Sequence, residues 1–270
     1  MRGLYVGQLH SIVTDPVKTQ EFLDFVGKHQ FSELNFYTGG PLETRVVPGK
    51  EPQFSDLLTK IWKLGSVTGV NIAIGSPAEM DRVVNFINLY RPKITGFVLE
   101  YEFWNNKPRD VENAATLLKY MKQKGGPERK VGAYIGWTTQ AEMATLVPLV
   151  DRLLIHSYVP DGKKTYLRIK SRLDQIMALK PDKKVIVYPI FSAEWLPPEI
   201  CNQGPSNTEF YNKMCFMGPW LKANGGPAGA EAAFNRSESA GRTSLDNWRN
   251  YVIIQGFFYY SYNYLRDALK

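Results

Sequence analysis

The sequence lacks a long apolar run. None of its 270 residues belongs to a stretch approaching the roughly 18 to 20 apolar residues that span a membrane, so we expect no membrane span. It also lacks a recognisable signal peptide, because Met1 runs directly into "RGLYVGQLH", which predicts a strand. Two locations fit this start: the cytoplasm, or a secreted, periplasmic or cell-surface location for a mature fragment whose leader has been replaced by a start Met.

Cysteine and histidine are scarce. Cys201 and Cys215 both lie in the loop-like stretch "CNQGPSNTEFYNKMC", and neither belongs to a CxxC or Cys/His pattern typical of zinc sites. They either close a disulfide, which would fit an exported protein, or remain two unpaired thiols. His10, His29 and His156 form no metal-ligand constellation. No nucleotide motif is present either, so we predict neither a metal nor a cofactor.

Clustered positive charge is also missing, although the net charge is +7 and the pI is about 9.2. Lys and Arg residues are scattered, as in "KPDKK" and "KQKGGPERK". A nucleic-acid surface needs a basic patch interleaved with aromatic residues, so we predict a solvated basic surface and no nucleic-acid partner. The 44% hydrophobic content is enough for a sizeable core.

Eight short apolar runs recur along the chain. Most are rich in Val, Ile, Phe and Tyr, as buried parallel strands are. The runs are "GLYVGQL" (3–9), "ELNFYT" (33–38), "VNIAIG" (70–75), "ITGFVLEYE" (94–102), "KVGAYIGW" (130–137), "VDRLLIHSYV" (150–159), "KKVIVYPIF" (183–191) and "GFFYYSYNY" (256–264).

The stretches between these runs have helical periodicity. "DPVKTQEFLDFVGKH" starts with Asp15 as a good N-cap and Pro16 at the first helical position. "SPAEMDRVVNFINLY" starts in the same way at Ser76. "KTYLRIKSRLDQIMALK" carries apolar residues, including Leu167, at helical spacing. The chain therefore alternates between strands and helices.

About eight strand–helix repeats are the pattern of an α/β fold of the (β/α)8 TIM-barrel type. A doubly wound open sheet is the alternative, but it usually has a glycine-rich phosphate turn after its first strand. The corresponding turn here, "GQLHSIVTDP", has no GxGxxG. We predict a single barrel domain over residues 1–270, with a long irregular insertion at 192–240 after the seventh strand. The insertion holds both cysteines and a short helix near 207–222.

The fourth run ends with two glutamates, Glu100 and Glu102. Active sites of such barrels lie at the carboxyl ends of the strands. Because alternate strand residues share a face, Val98, Glu100 and Glu102 are predicted to face the barrel mouth. Two adjacent carboxylates favour a proton on one of them, as a general acid requires. The plainer alternative is a glutamate pair bridged by Lys or Arg at a solvated strand end.

Other predicted strand ends carry aromatic and polar residues. Aromatic platforms around carboxylates suit sugar rings, which present flat CH faces and hydroxyl rims. Each aromatic residue alone is more typical of a core, but their convergence predicts a carbohydrate site. The candidate substrate-binding residues are Tyr37, Trp137, His156, Tyr158, Glu194, Trp195, Tyr260 and Tyr262.

The stretch "TGFVLEYE" resembles the fourth-strand motif D-G-x-D-x-D-x-E of family 18 glycoside hydrolases, the chitinases and endo-β-N-acetylglucosaminidases. Gly96 falls on the glycine, Glu100 on the last aspartate and Glu102 on the catalytic acid. Thr95 and Val98 depart from the first two aspartates. The resemblance implies that Glu102 protonates the glycosidic oxygen. It also implies that Glu100 orients the substrate's own N-acetyl group, which acts as the nucleophile.

Two further stretches match this family. "HSYV" falls where the sixth strand reads M-x-Y-D, which places Tyr158 on the tyrosine that contacts the acetamide and Val159 in place of the aspartate. "GFFYYS" falls where the eighth strand ends in a tryptophan under the pocket, and Tyr260 takes that place. The resemblance covers the whole chain in layout, but only the fourth-strand stretch is specific.

These observations predict a glycoside hydrolase-like barrel that acts on N-acetylglucosamine-containing glycans, of chitin or N-glycan type, by substrate-assisted retaining hydrolysis. One alternative is a non-hydrolytic glycan-binding or scaffold barrel, which the substitutions at 95, 98, 100 and 159 favour. Another is a retaining glycosidase with two enzyme carboxylates, Glu102 and Glu194. Unrelated barrel chemistry also stays open, since "TGG" at 38–40 could hold a phosphate on backbone amides.

Overall fold

A computed structural model of the chain describes residues 1–37, 49–157, 162–193, 217–241 and 247–269. The strands in these residues form one closed parallel barrel surrounded by helices, which confirms the predicted (β/α)8 fold. The strands are β1 Arg2–Val6, β2 Glu33–Phe36, β3 Gly69–Ile74, β4 Gly96–Leu99, β5 Lys130–Ile135, β6 Arg152–His156, β7 Val185–Ser192, β8 Val252–Ile254 and β9 Phe257–Tyr260.

The helices lie between the strands in chain order. They are α1 Leu9–Thr14, α2 Pro16–Lys28, α3 Glu51–Lys63, α4 Pro77–Tyr90, α5 Val111–Gly125, α6 Gln140–Leu146, α7 Gly162–Leu179, α8 Met217–Ala223, α9 Gly226–Ala240 and α10 Tyr262–Ala268. None of the described helices is both long and apolar enough to cross a membrane.

The barrel closes through an eighth strand that is made of two segments. Neighbours pair in the order β1 to β7, and β9 joins β7 to β1. β8 pairs with the first residues of β7 and β9 with the last, so both segments follow the same neighbour. Only Gln255 and Gly256 separate them. The eighth strand therefore begins at Val252, before the predicted start at 256. It ends at Tyr260, before the predicted end at 264, because α10 starts at Tyr262.

The predicted helix starts are present. The Asp15 carboxylate accepts a hydrogen bond of 2.9 Å from the Val17 N–H at the beginning of α2, and Ser76 caps α4 by accepting from the Glu79 N–H. The expected stripe on α7 is wrong at Leu167, which is 65% exposed. Its neighbour Tyr166 takes the buried position instead, one residue away.

The irregular insertion predicted at 192–240 is only partly irregular. Within its described part, α8 and α9 occupy most of 217–240, and α9 packs against α7, with Phe234 and Tyr166 in edge-to-face contact at 5.8 Å. The glycines and proline of "NGGPAG" are typical of an irregular segment, but the alanines that follow favour a helix, which packing stabilises. Cys201 and Cys215 lie outside the described residues.

A charged group fills the interior below the carboxyl end of the barrel. Arg152 Nη1 lies 2.5 Å from Glu33 Oε2, and Arg152 Nη2 lies 2.6 Å from Asn71 Oδ1. All three side chains are buried. Gly69 makes room for Glu33, because a Cβ there would lie 2.8 Å from Glu33 Cγ. These buried side chains therefore fill the barrel interior beneath the mouth.

Candidate active site

Glu100 is the carboxylate that the fold places inside the barrel mouth. It directly follows β4, and its N–H donates to the Ile74 carbonyl oxygen at 2.8 Å, which extends the pairing with β3 by one residue. Glu100 therefore keeps the strand alternation and shares the inner face with Val98, which is fully buried. Its Oε1 atom is buried from solvent.

Tyr5 of β1 neighbours Glu100 across the mouth. Burial raises the pKa of the Tyr5 phenol well above its usual value, and the charge of the Glu100 carboxylate raises that pKa further. Tyr5 therefore stays protonated at neutral pH, as a neutral hydroxyl beside a carboxylate. Tyr5 was not predicted from the sequence, although it lies at an inward position of the first predicted strand.

Three tyrosines form one wall of the mouth, which we call the tyrosine cluster: Tyr5, Tyr37 and Tyr260. The ring of Tyr5 lies 6.3 Å from that of Tyr37 and 5.7 Å from that of Tyr260, and the last two rings are 5.9 Å apart. Tyr37 and Tyr260 are both half-buried. The structure thus brings together two residues that the sequence predicted separately.

Four rings form the opposite wall: Trp104, Tyr134, Trp137 and His156. Tyr134 and His156 share a hydrogen bond of 3.0 Å between the phenol oxygen and Nδ1, and the Trp137 ring lies 5.4 Å from the His156 ring. Trp104 packs edge-to-face against Tyr134 at 5.3 Å. Gly136 permits this packing, since a Cβ there would lie 2.5 Å from Trp104 Nε1.

Glu102 lies at the rim of the mouth rather than on β4. The strand ends at Leu99, so the alternation that predicted a shared face does not extend to Glu102. The chain turns there because Phe103 and Trp104 are buried in a short 3-10 helix. Glu102 is exposed, and its Oε2 accepts a hydrogen bond of 2.7 Å from Asn105 Nδ2. Its role as the acid stays a prediction.

The other predicted site residues divide into two groups. Tyr262 is not at the mouth: it lies in α10, where its ring packs 5.0 Å from Phe22 and 5.3 Å from Phe25 of α2. This prediction is wrong because the eighth strand ends at Tyr260. The predicted site residues that lie outside the described residues are Tyr158, Glu194, Trp195 and the "TGG" at 38–40.

Trp104 and Tyr134 are further mouth residues that the sequence did not reveal. Tyr134 is inside the fifth predicted strand, three residues before its end, and its place on the inward-facing side of the strand was the available signal. Trp104 follows the fourth strand in a stretch with no periodicity. Across the described ranges, no group of three or more His, Cys, Asp or Glu side chains is arranged to hold a metal ion.

No protein-family model matches the chain, and no curated protein sequence matches it. Solved structures do match. A chitinase from Bacteroides thetaiotaomicron superposes with a TM-score of 0.57 at 10% identity, covering 99% of this chain and 93% of that one. A family 17 β-1,3-glucanosyltransferase from Rhizomucor miehei gives 0.54 at 16% identity, covering 96% and 85%.

A family 18 chitinase from Crocus vernus matches with a TM-score of 0.50 at 12% identity, covering 100% of this chain and 95% of that one. The chain has the barrel fold of these glycoside hydrolases. At such identities the likeness concerns the fold, and it agrees with the expected layout over the whole chain. The residues that would carry a reaction have to be argued from the mouth itself.

Proposed function

We propose that the chain is a glycoside hydrolase-like enzyme that acts on N-acetylglucosamine-containing glycans at the barrel mouth. The observation that carries the proposal is the position of Glu100, on the inner face between two aromatic walls. Solved chitinases with this fold support it by analogy. An exported location, where such polymers occur, belongs to the same proposal.

The two aromatic walls are suited to a sugar chain. Tyr37 and Tyr260 on one side and Trp137 on the other are half-buried aromatic residues of these walls. Aromatic faces bind the flat CH faces of sugar rings, while the phenol groups bind hydroxyls. A glycan lying between the walls would pass directly over Glu100.

Glu100 is suited to orienting the acetamide group. Its carboxylate is held beside the neutral Tyr5 phenol, which is a hydrogen-bond donor. An ionised carboxylate in that place accepts the acetamide N–H and turns the acetamide oxygen towards the anomeric carbon. We assign Tyr158 as the second acetamide contact because of the family resemblance alone.

Glu102 is assigned to proton transfer. Asn105 holds its carboxylate, and the buried Phe103 and Trp104 fix the turn that carries it. A proton passes from Glu102 to the glycosidic oxygen while the acetamide oxygen bonds to the anomeric carbon and the leaving sugar departs. Water then attacks the anomeric carbon, restores the acetamide and returns a proton to Glu102.

Glycan binding without hydrolysis is the second candidate function. Val98 favours it, because this fully buried apolar residue stands where the resemblance has an aspartate. An apolar side chain cannot pass charge or a proton to the carboxylate above it. The same mouth would then bind the sugar chain and leave it intact.

Cleavage assays separate these functions. Four proteins would be compared: wild type, Glu102→Gln, Glu100→Gln and the control Glu112→Gln, which alters an exposed residue of α5. Each would be incubated with chitooligosaccharides and with an N-linked glycoprotein, and the products would be identified by mass spectrometry. We expect wild type and the control to cleave and Glu102→Gln to lose about 100-fold or more in kcat. Binding without cleavage by wild type would establish the second candidate. Full activity in Glu102→Gln would overturn the assignment of Glu102 as the acid.

A further inference from the structure

Basic side chains that are scattered in the sequence lie together at one end of the barrel. Because the strands are parallel, each connecting helix returns the chain to the end opposite the mouth, which we call the base. The stretches "RPKIT" (91–95), "KQKGGPERK" (122–130) and "KPDKK" (180–184) each lead from the end of a helix into the next strand. The fold therefore collects at the base charges that are far apart in the sequence.

Six exposed basic residues of the base form what we call the basic face: Lys63, Arg91, Lys93, Lys122, Lys180 and Lys183. Across the described ranges, none of the six pairs with a carboxylate. A basic residue in the last turn of a helix is favoured by the helix dipole. Lys93 and Lys183 lie in the connections beyond the helices, so the dipole does not account for them.

Negative charge at the base is less abundant. In the connections that follow α3, α4, α5, α6 and α7, the carboxylates are Glu128, Asp151 and Asp182. Glu128 pairs with Arg129, and the Asp151 carboxylate accepts a hydrogen bond of 2.6 Å from the Val131 N–H. The basic face therefore carries an excess of positive charge, which an anionic partner would complement.

Aromatic and apolar side chains lie beside these charges at the ends of α3 and α4. Trp62 and Tyr90 are half-buried, and Leu89 is 73% exposed. The Lys93 ammonium lies 4.0 Å from the ring centroid of Trp62, whose Nε1 donates to the Lys93 carbonyl oxygen at 2.9 Å. Trp62, Lys63, Tyr90 and Lys93 line a groove of about 380 Å³ between the two helices. Exposed leucine, amphipathic rings and lysines side by side are typical of surfaces that lie in a bilayer interface.

We propose that the basic face binds the surface of a lipid bilayer that contains anionic phospholipid. The negative potential of such a surface attracts each nearby Lys or Arg side chain. Leu89 enters the boundary between headgroups and acyl chains, and the groove between α3 and α4 takes a headgroup phosphate beside Lys63 and Arg91. Because the base is opposite the mouth, the bound protein keeps its mouth open to a glycan. This inference goes beyond the proposed function and does not depend on hydrolysis.

A lipid surface fits the base better than a soluble polyanion does. The charges come from several connections around the barrel, so a partner that is itself an extended surface contacts them together. Nucleic-acid bases stack on open aromatic faces, whereas Lys93 covers one face of the Trp62 ring. An acidic polysaccharide would use the charges but leave the exposed Leu89 without an apolar partner.

Vesicle sedimentation tests the inference with the wild-type protein. One set of vesicles contains phosphatidylcholine alone, and the other contains equal amounts of phosphatidylcholine and anionic phosphatidylglycerol. We expect the partition coefficient on the anionic vesicles to be at least about tenfold higher at low salt. The difference should shrink as the ionic strength rises. Binding to dextran sulfate and to duplex DNA is measured in parallel.

Variants then locate the contact. Arg91→Gln/Lys93→Gln should lower the partition coefficient on anionic vesicles by about tenfold. Lys18→Gln/Lys164→Gln is the matched control and should bind like wild type, because it removes two exposed charges in the first turns of α2 and α7, at the mouth end. Leu89→Asn should weaken binding by about threefold to tenfold and keep the salt dependence.

Melting temperatures are compared first, and Lys180→Gln/Lys183→Gln, which alters another part of the basic face, replaces the first pair if that pair does not fold. Equal partition of wild type on neutral and anionic vesicles would overturn the inference. Unchanged partition in a folded basic-face variant, or an equal loss in the control, would also overturn it. Binding to dextran sulfate or DNA without binding to anionic vesicles would replace the bilayer with a soluble polyanion.

Discussion

Arg152 and Glu33 form an ion pair inside the barrel, with Nη1 and Oε2 2.5 Å apart, although 119 residues separate them in the sequence. The pair joins β6 to β2 across the interior, and Asn71 of β3 contacts both partners. Buried charges need such partners, because an unpaired one is costly. The network closes the barrel below the mouth and supports the layer in which Tyr5 and Glu100 lie.

Breaking this pair should destabilise the protein. We expect Arg152→Met to lower the free energy of unfolding by about 3 to 5 kcal/mol, since it leaves Glu33 buried without its partner. Lys60→Met is the matched control, because Lys60 pairs with Asp56 at 2.7 Å on the exposed face of α3 and should cost about 1 kcal/mol or less. Urea unfolding followed by circular dichroism measures both, and equal midpoints would contradict this account.

Two helical glycines should respond oppositely to alanine. Gly27, near the end of α2, has nothing within 4 Å of an added Cβ, so Gly27→Ala should stabilise by about 0.5 to 1 kcal/mol. At Gly125, in the last turn of α5, a Cβ would lie 2.6 Å from the Phe97 ring. Gly125→Ala should therefore destabilise by about 1 to 3 kcal/mol. Thermal melting of the two variants measures the direction of each change in stability. If both melting temperatures moved in the same direction, the packing described at one of the two glycines would be wrong.

Tyr188 should contribute to a loss of stability at high pH. Burial, followed by the charge of Glu33, raises the pKa of its phenol from 10.0 to about 12. The folded state therefore keeps the proton after the unfolded state has lost it. The resulting stabilisation is fully present below pH 10 and is lost as the pH rises through about 12.

Unfolding free energies between about pH 9 and pH 12 measure this effect. Tyr188→Phe should show a shallower decline than wild type, together with a loss of about 1 kcal/mol at neutral pH from the hydrogen bond to Gln255. Tyr90→Phe, which keeps the ring contact with Phe86, is the control and should follow wild type. If the unfolding free energy of Tyr188→Phe declined with rising pH as steeply as that of wild type, Tyr188 would not be the source of the alkaline loss of stability.

The fold was predictable because most of its strands and helices have clear local sequence patterns; α9, in the segment predicted to be irregular, is an exception. Apolar runs marked the strands, and Asp15 and Ser76 marked helix starts that the structure confirms. The ends of elements depend on packing at longer range, which local patterns do not contain. The apolar run in the sequence continues towards Glu102, but β4 ends at Leu99. It ends there because Phe103 and Trp104 are buried in the next turn.

The positions of the candidate site residues were predictable in part. Glu100, Tyr37, Tyr260 and Trp137 follow from reading the strand ends, and the fold gathers them at one mouth. The interior pair of Glu33 and Arg152 was not foreseen, because each looks like a single polar residue in an apolar run until barrel closure sets them opposite each other.

The most direct test of the central claim is a crystal structure of the Glu102→Gln protein with a bound chitooligosaccharide. The account predicts an acetamide group within hydrogen-bonding distance of Glu100, and sugar rings against Tyr37 or Tyr260 on one side and Trp137 on the other. A structure in which the glycan binds another surface and the mouth contains no sugar would contradict this account.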